Sequence, residues 1–207
     1  MPEHSPSQGE SQPDLSALRA AIASGDPVLV MPALIQLRFV AAAEAVPLLV
    51  LGTEQELFLV RSFSCSGLGD KRTEQGWQVL TRLLMEDPDA NVRAEAANAL
   101  ASYGVERSWP LLLESFSADD SWLVRCSIMS ALAEQPSIPL GWLLELAKLA
   151  VADQDGTVRV SGAEILGRVV REGPSSGSGG EARVLLQGLQ QDTDHRVVAA
   201  VLNGLQS

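Results

Sequence analysis

The stretch NVRAEAANAL at residues 91–100 decides the fold, because variants of it return at regular intervals along the chain. The other copies, of which the first is the weakest, are LVMPALIQL (29–37), LVRSFSCSGL (59–68), LVRCSIMSAL (123–132), TVRVSGAEIL (157–166) and RVVAAVLNGL (196–205). Each copy ends on a leucine, and successive leucines lie 31, 32, 32, 34 and 39 residues apart. A period in this range predicts a stack of supersecondary units, and such stacks usually bind other macromolecules.

Each unit is predicted to be two helices, which we call the A and the B helix, joined by a short acidic turn. In residues 73–104, TEQGWQVLTRLLMED places Trp77, Leu80 and Leu84 on one helical face. DPDAN then ends the A helix, because proline cannot continue it and Asp and Asn favour turns. A B helix follows from about residue 91 to 102. The repetition predicts an all-α fold, a right-handed α-solenoid of about six helix pairs.

Two segments have the composition of irregular structure. Residues 1–13, MPEHSPSQGESQP, contain neither the apolar core of a signal peptide nor arginines, and we expect a disordered tail before a repeat domain at 14–207. GPSSGSGG at 173–180 lengthens the last interval and predicts a flexible loop. That loop is either a tolerated insertion or a segment that grips a partner.

An arginine recurs at the equivalent position of four units, at Arg61, Arg93, Arg125 and Arg159. The residues three and four positions after it are mostly short, which lets neighbouring B helices approach to about 8–10 Å. An acid lies upstream of three of these arginines, at Asp89, Asp120 and Asp155. We therefore expect a ladder of ion pairs between repeats, with a row of ligand-binding arginines as the alternative.

Three tryptophans, Trp77, Trp109 and Trp142, occupy one equivalent position in consecutive A helices. A leucine follows each of them three or four residues later, which favours a buried ridge. The alternative is an aromatic row that holds a flat chromophore. Trp122 falls in a predicted A–B turn, where it either packs or is exposed.

Bulk properties argue against several classes of function. A net charge of −11 disfavours nucleic acid, whose phosphates need a basic face, and permits a basic protein partner. No apolar run reaches the roughly twenty residues of a membrane span. Two cysteines, Cys65 and Cys126, do not make a disulfide framework, which predicts a reducing, cytoplasmic location.

No catalytic or metal-binding constellation stands out in the sequence. The histidines are His4 and His195, and neither is followed by the glutamate that a di-iron hydroxylase of this repeat type needs. Neither cysteine has an identifiable histidine base, and GLGD at 67–70 follows a helix, so we interpret it as a C-cap. We predict no metal and no resident cofactor, and we leave the catalytic residues unassigned.

The best candidate site is the surface that the B helices present on the concave side of such a stack. Side chains two and five positions after the arginine point away from the packing stripe and form a polar, mildly acidic strip. The predicted partner-binding residues are Phe63, Ser66, Glu95, Asn98, Ser127, Ser130 and Glu164. Each could also be a solvated position without a role.

A second candidate interface lies at the C-terminal end. The last B helix, RVVAAVLNGL, is apolar almost all round, and its Val198, Val201 and Leu202 are predicted to be partly uncovered. Exposed apolar patches often mark protein interfaces. We therefore expect a homo- or heterodimer through this end, the alternative being a frayed terminal helix.

The phrases DPDANVRAEAANALASYG and FLVRSFSCSGLGDKRTEQGW resemble the HEAT-like repeats of the phycobilisome-lyase family of cyanobacteria, best over residues 54–170. That family includes E/F-type bilin lyases and relatives linked to phycobilisome degradation. The resemblance implies binding of phycobiliprotein subunits through the concave face. It leaves open a bilin lyase or lyase subunit that attaches or removes a transient phycobilin at a partner's cysteine, and a generic adaptor, for example for an iron–sulfur carrier.

Overall fold

The structure, a computed structural model, describes residues 13–175 and 177–206, and these form twelve α-helices and no strand. The six A helices are α1 (Leu15–Ala23), α3 (Ala42–Thr53), α5 (Glu74–Glu86), α7 (Val105–Ala118), α9 (Leu140–Val151) and α11 (Gly177–Gly188). The six B helices are α2 (Pro27–Gln36), α4 (Phe58–Lys71), α6 (Ala90–Ala101), α8 (Trp122–Ala133), α10 (Gly156–Glu172) and α12 (His195–Leu205). The predicted all-α solenoid of helix pairs is thereby confirmed.

Aspartates start many of these helices. Asp26, Asp89, Asp155 and Asp194 each accept a hydrogen bond from the backbone N–H two residues on, which satisfies one of the donors left free at a helix N-terminus. Hydrogen bonds from Arg196 lower the pKa of Asp194 to about 2. The acidic A–B turns are thus partly explained by helix capping.

Three local predictions need correction. GLGD lies inside α4, which continues to Lys71, and Arg72 follows as the C-cap in the left-handed region with a φ of 50°. Trp122 begins α8 rather than lying in the turn, and its side chain is exposed. Helix α11 begins at Gly177, so only residues 173–175 of the predicted loop are described outside a helix. Of the predicted tail, residues 1–12 lie outside the described residues.

The B helices pack closely because small residues line their contacts. At Gly69 on α4, a Cβ atom would lie 2.9 Å from Cα of Ala99 on α6, so only glycine allows this approach. Gly167 on α10 and Gly204 on α12 meet in the same way. Consecutive B helices contact one another along the whole stack, while α5, α7 and α9 approach one another less closely. The stack therefore curves toward its B helices.

A ladder of ion pairs joins the repeats, as expected, but its acids are different ones. Each arginine places Nε and Nη2 2.7–3.0 Å from the carboxylate of an aspartate in the next unit. The pairs are Arg61–Asp87, Arg93–Asp119, Arg125–Asp153 and Arg159–Asp192. The upstream acids Asp89 and Asp155 instead cap their own helices, whereas Asp120 lies 3.6 Å from Nη2 of Arg93 as a second, almost fully exposed partner. The side chains of the four ladder aspartates are largely buried, with 3–11% of each exposed to solvent.

The ladder is continuous because three of its aspartates, Asp87, Asp119 and Asp153, each accept hydrogen bonds from two arginines. The carboxylate of Asp119 accepts a hydrogen bond from Nε of Arg93. Its backbone carbonyl accepts a second hydrogen bond, of 2.9 Å, from Nη1 of Arg125. Its carboxylate also accepts the backbone N–H of Ser121 at 2.8 Å. Burial acts to raise the pKa of Asp119, but the hydrogen bonds from Arg93 and Ser121 and the charges of Arg93 and Arg125 together outweigh it and lower the pKa. Every step thus locks an A–B turn to the next one.

Replacing Arg93 with Ala leaves the largely buried carboxylate of Asp119 without its counterion. We expect the free energy of unfolding to fall by about 2 kcal/mol, measured by chemical denaturation. The matched control is Asp120→Asn, which removes the exposed second partner of Arg93 at 3.6 Å and changes stability by less than about 0.5 kcal/mol, because exposed ion pairs contribute little. Equal stability of the Arg93 variant and the unchanged protein would mean that the ladder does not support the fold.

A second prediction tests the close approach of the B helices. Gly167→Ala puts a methyl group 2.9 Å from Cα of Gly204, so α10 and α12 must separate, and we expect a lower melting temperature. Gly180→Ala is the control, because a Cβ there meets nothing within 4 Å and alanine favours the helix, by up to about 1 kcal/mol. If the two variants melt alike, glycine is not required at this contact.

Candidate protein-binding face

The predicted binding residues lie on four consecutive B helices. None of them belongs to the buried core, because the buried positions are those three and four residues after the arginine, such as Ala96 and Ala97. Ser66, Asn98, Ser130 and Glu164 are exposed, and Phe63, Glu95 and Ser127 are half-buried. We call the surface formed by these seven residues of α4, α6, α8 and α10 the B-helix face.

A polar groove of about 530 Å³ runs between α6 and α8. Asn98, Ser127 and Ser130 line it together with other polar side chains and one acid, Ser102, Cys126, Gln135 and Glu134. These amide and hydroxyl groups donate and accept hydrogen bonds without carrying a charge, so they suit the peptide groups of another chain. The groove thus brings three of the predicted residues into one site.

A smaller groove of about 240 Å³ lies between α8 and α10 and contains Ser130 and Glu164. Two arginines, Arg168 and Arg171, also line it. Arg168 donates to the carbonyl of Ala133 and forms an ion pair with Glu172 at 2.7 Å. This groove therefore supplies its own positive charges beside Glu164.

Glu95 has a different environment from Glu164. It is half-buried between α4 and α6, and burial raises the pKa of its carboxyl although the neighbouring side chains of Asn98 and Ser66 act to lower it. The Asn98 bond is long, at 3.5 Å. No lysine, arginine or histidine of the described residues forms an ion pair with it. A half-buried carboxylate without a counterion is thus part of the B-helix face.

A cavity of about 190 Å³ with a mixed apolar and polar lining lies between α2, α3 and α4, and Ser66 is part of that lining. Its apolar walls are Leu34, Leu37, Leu49 and Phe63, and the rest of its lining is Arg38, Ser66, Gly67, Asp70 and Lys71. The three leucines are at most 2% exposed, whereas Arg38 and Asp70 are exposed, so the cavity has an apolar floor and a charged rim. Sequence reasoning singled out Phe63 but missed the cavity, because its walls come from three helices that are distant in sequence.

The tryptophans pack against the protein's own side chains. Trp109 is buried and stacks on Trp142, with ring centroids 4.9 Å apart and planes at 16°. Trp77 is half-buried, meets Tyr103 edge-on, and has the guanidinium carbon of Arg107 4.0 Å from its ring centre. Because two of the three rings stack on each other, they leave no gap for a flat chromophore.

The C-terminal patch is smaller than predicted. Val201 is fully buried and does not belong to it, because it packs in the core beside the other buried residues of α12. Leu202 is 48% exposed and Val198 is half-buried. A dimer through this end stays a prediction that rests on these two side chains.

The described residues contain few groups suited to chemistry. They hold no group of three or more His, Cys, Asp or Glu side chains that could bind a metal ion. Both cysteines are free thiols; burial raises the pKa of each, so the reactive thiolate is disfavoured. Within the same residues, no helix is long and apolar enough to cross a membrane.

The environment of Glu95 predicts a stability effect. A carboxyl whose pKa is higher in the folded state, above the unfolded value of 4.5, destabilises the fold at neutral pH, and this penalty disappears below pH 4.5. Glu95→Gln should therefore raise the melting temperature at pH 7 and leave it almost unchanged at pH 4. Glu164→Gln, at an exposed site, is the control and should change neither. A Glu95 variant that melts lower at pH 7 would contradict this account.

Comparisons with known proteins agree with this architecture. Residues 53–133 match the family model of HEAT repeats, and no curated protein matches the chain. The Escherichia coli protein YibA superimposes with a TM-score of 0.64 and 16% identity, covering 98% of this chain and 77% of that one. Human deoxyhypusine hydroxylase in complex with glycerol superimposes with a TM-score of 0.52 and 14% identity, covering 93% of this chain and 94% of that one.

The complex of CpcE and CpcF of phycocyanin lyase from Nostoc sp. PCC7120 gives a TM-score of 0.44 and 18% identity, covering 100% of this chain and 98% of that one. A TM-score this low supports no conclusion about this chain, and the two similarities with higher TM-scores bear on the fold alone. The chain is an all-α solenoid whose residues 53–133 match HEAT repeats.

Proposed function

We propose that this protein is a binding module that holds a protein partner on the B-helix face. The observation that carries the proposal is that four consecutive B helices align polar, accessible side chains on one side of the stack. The four recurring arginines do not compete for this role, because aspartates of the neighbouring unit already engage them. The binding surface is therefore separate from the groups that hold the repeats together.

The chemistry of the face favours a partner with basic groups. The net charge of −11 attracts cationic surfaces over a distance of about one Debye length, some 8 Å at physiological salt. The polar groove between α6 and α8 offers hydrogen-bonding groups to a backbone. Electrostatic attraction would mainly increase the association rate, so binding should weaken as salt is added.

The finer proposal is that the partner is a phycobiliprotein subunit, and it is supported by the sequence resemblance over residues 54–170. Purified phycocyanin or allophycocyanin subunits can be titrated into the protein and the heat of binding measured. Binding that is lost on charge reversal at Glu95 and Glu164 would support this identity. Absence of heat with every phycobiliprotein would remove it while leaving the general module untouched.

A bilin lyase is the second candidate, because the thiol that joins the bilin can come from the substrate protein and needs no cysteine here. A tetrapyrrole also carries propionates that prefer basic contacts, and the ladder arginines are already paired. The discriminating measurement is the visible absorbance of phycocyanobilin mixed with the protein. A shifted band favours the lyase, and an unchanged spectrum favours the binding module.

Charge reversal on the face provides the main test. The double variant Glu95→Lys, Glu164→Lys should lose partner capture by at least about tenfold, since it makes the centre of the face repel a basic partner. The matched control is Glu114→Lys, Glu145→Lys, which makes the same charge change at exposed positions of the A helices α7 and α9. Capture and melting temperature are measured for both. Loss only in the A-helix variant would move the site to the other side of the stack.

A further inference from the structure

Two features of the B-helix face adjoin each other and differ in chemistry. The first is the cavity between α2, α3 and α4, which has an apolar floor and a charged rim, and the second is the half-buried carboxylate of Glu95 between α4 and α6. Ser66 connects them, because it lines the cavity and its side chain is close enough to Glu95 to lower the pKa of that carboxyl. The cavity and the carboxylate of Glu95 are therefore neighbouring parts of one surface.

The cavity fits an apolar side chain. Its volume of about 190 Å³ is below the range of about 300–1,000 Å³ that holds a drug-sized ligand, but it can take a leucine, methionine or phenylalanine side chain. Its leucines are fixed by the core, so its shape exists before a partner arrives. Buried apolar anchors of this kind commonly dominate the energy of protein interfaces.

Glu95 fits a cation. Its carboxylate accepts hydrogen bonds from neutral groups only and is already partly desolvated, so a lysine or arginine from outside would gain a charge-assisted hydrogen bond. The ladder arginines cannot pair with Glu95, because their ion pairs hold them at the A–B turns. Glu164 is a poorer receptor, since Arg168 and Arg171 line its groove.

We propose that these two features together recognise an extended segment of the partner in which an apolar residue and a lysine or arginine are separated by two or three positions. The inference rests on the proposed function. Neighbouring B helices lie about 8–10 Å apart, and an extended chain advances about 3.1–3.4 Å per residue. Two or three residues of extended chain span about the distance between neighbouring B helices, so one segment can place an apolar side chain in the cavity and a cation at Glu95. The remaining segment lies over the polar groove beyond Asn98.

The test is selection of a displayed library of random twelve-residue peptides on the full chain. Selected peptides should be enriched in an apolar residue paired with a basic one two or three positions away. On Glu95→Gln, which keeps the shape of the side chain, enrichment of the basic position should fall by about tenfold, and the apolar position should remain. The matched control Glu164→Gln should retain both positions.

The outcomes separate this inference from the function on which it rests. Peptides that bind the unchanged protein and Glu95→Gln equally, but not the Glu95→Lys, Glu164→Lys variant, would overturn the inference and leave the binding module supported. Enrichment that is the same on the unchanged protein and on that double variant would contradict both. Melting temperatures of all variants show whether a loss of binding reflects unfolding.

Discussion

The structure depends on one recurring interaction, the bidentate ion pair between an arginine of one repeat and an aspartate of the next. The pair is held on both sides, because Nη1 of each arginine donates to a turn carbonyl of its own unit. A buried ion pair by itself is weak support for stability, since desolvation offsets much of the attraction. Here it also fixes the spacing and orientation of successive turns, which generic apolar packing between helices leaves less defined.

The ladder also explains the ends of the stack. In the copies LVMPALIQL and RVVAAVLNGL, Met31 and Val198 stand where the other copies have arginine, so among the described residues the row of pairs runs from Arg61 to Asp192. Outside the ladder, small residues decide how closely the B helices approach, as at Gly69 and Ala99. Close B helices and less closely spaced A helices curve the stack, and the curvature brings separate helices to one surface.

This division of labour bears on function. The recurring arginines, for which ligand binding was the alternative interpretation, form ion pairs within the scaffold, while the seven residues of the B-helix face are uncharged or acidic. Glu95 is the exception within that surface, because its burial penalty is not offset by a cation of the described residues. Residues that reduce stability without a structural reason are candidates for recognition, since a partner can restore the missing interaction.

The sequence by itself determined the helix pairs, their number and the positions that face the core, because a period near 32 residues and the helical spacing of leucines are local signals. It also placed the seven residues of the B-helix face outside the core. The aspartates that accept the arginines could also have been predicted from the sequence, because Asp87, Asp119 and Asp153 each stand six residues before the arginine of their own unit. Only the tertiary structure decided which acid meets which arginine, that Val201 is buried, and that Phe63 borders a cavity. Those outcomes depend on contacts between helices about thirty residues apart, and local pattern does not specify such contacts.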